Sequence, residues 1–89
     1  MVTVIIQHEV KNFAEWKKVF DSDEVNRVKA GVHQKGLYTS VKNPNDVTMV
    51  FEAPNSETLD KMMSDPQRQK DMAGAGVISA PVASILNKV

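Results

Sequence analysis

The chain has 89 residues and 9.9 kDa, with 42% hydrophobic and 25% charged side chains, and its 11 basic and 11 acidic groups cancel. One domain with a thin core, spanning residues 1–89, is the expectation at this length, because small domains bury a smaller share of their surface. Balanced charge without basic blocks excludes an electrostatic nucleic-acid footprint, and the lack of cysteine excludes disulfides, zinc–thiolate sites and thiol catalysis.

The apolar run Val2–Ile6 is broken by Gln7, His8 and Glu9. It is too short for a signal peptide or a membrane span, which leaves the cytoplasm as the expected compartment and no membrane partner. The segment from Val2 to Val10 alternates, with Val2, Val4, Ile6, His8 and Val10 on one face and Thr3, Ile5, Gln7 and Glu9 on the other. That period predicts a strand with one core face.

Asn12, with Glu15 in the capping-box position, predicts a helix start. Phe13, Trp16, Val19 and Phe20 form its apolar stripe; Asp21-Ser22-Asp23 can interrupt or recap it, and Gly31 ends it. Leu37–Val41 and Val47–Ala53 read as two strands joined by the turn residues Lys42-Asn43-Pro44-Asn45-Asp46, hence an antiparallel hairpin. Asn55 or Ser56 caps a second helix with Leu59, Met62 and Met63 as its stripe. Asp65-Pro66 interrupts this helix and restarts it toward Met72. Pro81–Leu86 reads as a last strand at a sheet edge.

The order β-α-β-β-α-β predicts an α+β, ferredoxin-like fold: helices on one face of a four-stranded antiparallel sheet. The other face would carry Ile5 and Val50 among Thr3, Gln7 and Thr48. It is apolar enough that a second copy is expected to cover it, making a homodimer.

With this order established, His8-Glu9-Val10-Lys11-Asn12-Phe13 followed by Trp16, the hairpin Asn43-Pro44-Asn45-Asp46-Val47, Ser64-Asp65-Pro66, and Ala75-Gly76-Val77 followed by Pro81 come together as a pattern. The chain resembles the dimeric α/β-barrel superfamily, in particular its small antibiotic-biosynthesis-monooxygenase-like members. The resemblance implies a homodimer whose two sheets close a barrel, with a ligand cleft in each subunit between sheet and helices. It does not imply an activity, since members include cofactor-independent oxygenases, haem-degrading enzymes, isomerases, dechlorinating or aldoxime-handling enzymes and proteins with no known reaction. The enzymatic reading carried forward is a cofactor-independent monooxygenase or isomerase-like one. The Asn, Trp and His set of the haem-degrading members is not reproduced: Gln7 stands on the first strand, and no histidine follows His33.

Among candidate functional residues, His8 leads as the catalytic acid/base, since it lies on the apolar strand face and imidazole exchanges protons near neutrality. Trp16, Phe20, His33, Tyr38, Met49, Phe51, Met62 and Met72 are the candidate lining of a cleft for a small apolar or aromatic ligand. Tyr38 alternates with Gly36 and Ser40, so it faces either the cleft or the dimer barrel. His33 is expected in a loop, and Arg27 and Arg68 in solvent. No metal site and no cofactor are expected. Two further readings stand beside the enzyme: a ligand-binding or regulatory module without chemistry, and a structural dimeric subunit whose cleft is filled by its own side chains.

Overall fold

A computed structural model describes residues 1–89. In chain order the elements are β1 (Val2–Glu9), α1 (Phe13–Ser22), α2 (Glu24–Lys29), β2 (His33–Thr39), β3 (Asp46–Ala53), α3 (Ser56–Ser64), α4 (Pro66–Gly74) and β4 (Val82–Asn87). The strands form one sheet in the order β2-β3-β1-β4, every pair antiparallel, as the ferredoxin-like plan requires. Each of the two predicted helices is a pair of shorter helices.

Local chemistry accounts for these breaks. Asn12 is extended, and its side chain accepts from the Glu15 amide at 3.1 Å, which fixes the start of α1. Asp23 ends α1 and opens α2 without capping either through its side chain, because its carboxylate is turned elsewhere. Gly31 then takes a φ of +80°, the left-handed stop that any side chain would strain. Asn55 caps α3 by accepting from the Thr58 amide at 2.8 Å. Asp65 accepts from the Gln67 amide at 3.0 Å, and Pro66 opens α4 where no intrahelical amide is needed.

β3 alternates as predicted: Val47, Met49, Phe51 and Ala53 are buried under the helices, while Asp46, Thr48, Val50 and Glu52 face the other way. Val4, Val10, Trp16, Phe20, Val32 and Leu59 complete the core. The remaining face is open and carries Ile5 opposite Val50, Leu86 opposite Thr3 and Tyr38 opposite Thr48.

β2 departs most from expectation. It runs from His33 to Thr39 instead of from Leu37 to Val41, so His33 is not a loop residue, and Val41 is fully exposed beyond the strand. The reason is a bulge between Gln34 and Gly36, which breaks the alternation and hides the strand among polar residues. Gly36 also leaves room for the Tyr38 ring, which lies over it where a Cβ would stand 2.6 Å from a ring carbon.

The hairpin loop and the start of α1 are joined by one side chain. Asn45 accepts from the Phe13 amide at 3.0 Å and donates to the Lys11 carbonyl at 3.5 Å. Asn45→Ala is expected to lower stability by about 1–2 kcal/mol, read as a drop in the urea midpoint, because it orphans a part-buried amide.

Candidate functional site

His8 lies on the helix-covered face of β1, opposite Val47 in register, and is only 5% exposed. Its Nδ1 is buried with no hydrogen-bond partner. The sharp start of α1 brings Trp16 edge-on to this imidazole, with ring centres 5.5 Å apart and planes at 77°. Trp16 stacks on Phe20 at 4.8 Å and leans on Phe13 at 5.8 Å. Phe20 in turn meets Phe51 of β3 at 6.1 Å. The far end of this aromatic column is closed by Arg27, whose guanidinium carbon sits 3.9 Å above the Phe20 ring.

The column therefore runs from an imidazole to a guanidinium. Burial pushes the His8 pKa below its ordinary value of 6.5, and the Asp46 carboxylate opposes this. A polar contact with the residue's own backbone opposes it too, but falls short of the geometry of a hydrogen bond and so leaves Nδ1 unpartnered. His8 is accordingly neutral at pH 7, and its unpartnered nitrogen can take part in proton exchange. Burial likewise lowers the Arg27 pKa; Asp23 opposes this and Arg68 adds to it. Arg27 remains a cation, since guanidinium holds its proton in proteins.

The structure brings Trp16, Phe20, Met49 and Phe51 together in the core, with Met62 half-buried against it. It does not bring the other proposed lining residues there. Tyr38 is 60% exposed and, like Thr48, faces away from the helices. His33 pairs with Glu52 on that same open face. Met72 is half-buried on α4, a helix that contributes no residue to the core. Sheet register decides the first two, and the shallow seat of α4 the third.

Arg27 is the residue that sequence reasoning misplaced. It is buried, its Nη1 lies 3.6 Å from Asp23 Oδ2, and the Arg68 Nη1 reaches the same oxygen at 3.2 Å. The signal was present: Phe13, Trp16, Phe20 and Arg27 share one helical stripe, and Asp23 precedes Arg27 by one turn.

Two surface depressions flank the column. One, of about 350 Å³, lies between α2 and β2 and is lined by Arg27, Glu24, Val28, Val32 and His33 among others. The other, of about 480 Å³, lies between the start of α1 (Lys11, Asn12, Glu15) and the end of α4 (Ala73, Gly74). His8 and Trp16 line neither of them. No group of three or more His, Asp or Glu side chains is placed to hold a metal ion.

The depressed His8 pKa sets a pH dependence of stability. The unfolded chain takes up the His8 proton near pH 6.5 and the folded chain only at lower pH, so the folded state is favoured fully above pH 6.5. That contribution is lost as pH falls from there through the folded-state pKa. Urea midpoints measured across this range are expected to fall with acidification, and His8→Gln is expected to flatten the part of the slope due to this residue.

Comparison with known proteins places this geometry in context. The fold matches a solved structure from Bordetella bronchiseptica provisionally named an antibiotic biosynthesis monooxygenase, at TM-score 0.78 and 18% identity, covering 99% of this chain and 96% of that one. A conserved protein from Methanosarcina mazei matches at TM-score 0.74 and 19% identity, covering 99% and 92%. A point mutant of SnoaB, a cofactor-independent oxygenase from Streptomyces nogalater, matches at TM-score 0.72 and 13% identity, covering 98% and 91%. At these identities the likeness shows a shared fold. No curated protein matches the sequence at a significant level. The family model described as "Domain of unknown function (DUF3764)" matches residues 1–84, and the chain belongs to that family.

Proposed function

We propose that residues 1–89 act as one domain of a homodimer that binds a small apolar or aromatic molecule between α1 and the sheet. There it carries out a cofactor-independent, monooxygenase-like reaction, with His8 as the proton-transfer group. The observation that supports this reading is the buried, unpartnered Nδ1 of His8 beside Trp16. A polar atom left without a partner in a core costs stability, and such costs concentrate where a ligand supplies the missing contact. The chemistry asked of His8 is removal of a proton from an activated carbon of the ligand. Molecular oxygen then accepts the electrons; one oxygen atom enters the ligand and the other leaves as water.

Anthrone, whose methylene has an acidic C–H and which oxidises to anthraquinone with release of water, is a suitable probe. His8→Gln is expected to slow its aerobic oxidation by the protein about a hundredfold, the usual scale for a positioned base. Equal rates for the two proteins would remove His8 from the reaction. A competing reading has its own support: Trp16, Phe20, Met49, Phe51 and Leu59 are all buried in contact, which suits a structural dimeric subunit with a filled cleft. Absence of anthrone binding to the folded protein would favour that reading.

The dimer rests on the open sheet face, where Ile5, Val82 and Leu86 are exposed beside Val50. Two such faces packed together would supply the burial a small domain lacks. Light scattering is expected to give twice the chain mass. Ile5→Lys, at the centre of that face, is expected to give a folded monomer.

A further inference from the structure

Arg27 carries a charge that the protein only half satisfies. It is 5% exposed, yet its one carboxylate contact, to Asp23 Oδ2, is 3.6 Å long. That exceeds the length of an N–H···O hydrogen bond. The same oxygen is closer to Arg68 Nη1, at 3.2 Å, while Asp23 Oδ1 accepts from Asn26 Nδ2 at 2.9 Å. Two guanidinium groups thus share one carboxylate that is already engaged by a third donor. A buried cation normally collects close acceptors, since its desolvation is costly without them. Arg27 instead has an aromatic face above it and a wall of the depression between α2 and β2 beside it.

We propose that this depression binds a small organic carboxylate, with the Arg27 guanidinium as its anion anchor; Arg68, outside the lining, acts by drawing the shared Asp23 carboxylate away from Arg27. Three features select this class. The planar guanidinium fork matches a carboxylate in two parallel hydrogen bonds. Val28 and Val32 line the same depression and offer apolar contact to the body of such a molecule. Among the lining side chains Arg27 and Lys35 outweigh Glu24 by one positive charge, which a monoanion balances and a phosphate dianion would exceed. The volume of about 350 Å³ is at the small end of ligand sites, ample for a single-ring acid. This site is separate from the His8 nitrogen and stands whether or not a ligand reacts there.

The test uses benzoate and its neutral isostere benzamide on the intact protein. Benzoate is expected to bind saturably at millimolar concentration or below and to shift the side-chain Nε–H resonance of Arg27 in ¹⁵N NMR. Benzamide is expected to bind at least tenfold more weakly. Arg68→Gln and Arg27→Lys should each weaken benzoate binding several-fold. Asp23→Asn should tighten it, because it removes the internal competitor for Arg27. Where Arg27→Lys fails to fold, by circular dichroism, the opposed responses of Arg68→Gln and Asp23→Asn decide the matter. No benzoate binding, equal binding of benzamide, or weaker binding by folded Asp23→Asn would each overturn the proposal.

Discussion

Burial of the Trp16–Phe20 stack against the middle of β3 is the contact on which the rest of the molecule depends. α1 is only ten residues long and would not persist alone in water, since helix nucleation is costly. Its two aromatic rings each contribute on the order of 1.5–3 kcal/mol by leaving water. Phe20 presses on Phe51, and both rings share the core with Val4, Val47 and Met49. The elements farther from this contact are held less firmly: α4 has no buried residue and is fixed by its Asp65 cap, its contacts with α3 and the Arg68–Asp23 ion pair.

The same stack explains why two polar side chains are buried. His8 and Arg27 lie at its opposite ends, one edge-on to Trp16 and the other above Phe20. Each loses water to the neighbouring ring, and in each burial is the main cause of the lowered pKa. Neither gains a full set of protein partners in exchange. The two buried polar side chains therefore lie along the helices and the strand beneath them, away from the open sheet face.

Much of this is readable without the structure. The period-two patterns of β1 and β3 identify their buried faces, and Asn12, Asn55 and Asp65-Pro66 mark the helix starts where they are found. The order of elements then fixes the sheet. β2 is harder because its bulge at Lys35 interrupts the alternation and its residues are mostly polar. The site is readable in proportion. His8 and Trp16 follow from faces, whereas Tyr38 and His33 depend on register, which composition does not reveal. Arg27 is obscured for another reason: a charged residue on an apolar stripe is ordinarily a solvated one, and its burial comes from the Phe20 ring and the shared Asp23.

The sheet order has a consequence for how the chain assembles. β1 is central, yet its neighbours come late: Val2 pairs with Ala53 on one side and with Asn87 on the other. During synthesis this apolar strand therefore precedes both of its partners and waits for the whole of β3 before either edge is covered. Its second edge stays unpaired until β4 has left the ribosome. Local helices and the β2–β3 hairpin can form meanwhile, but closure of long loops sets the pace of the final step. The nascent chain is thus most exposed to aggregation through residues 2–9, in the interval before β3 is complete.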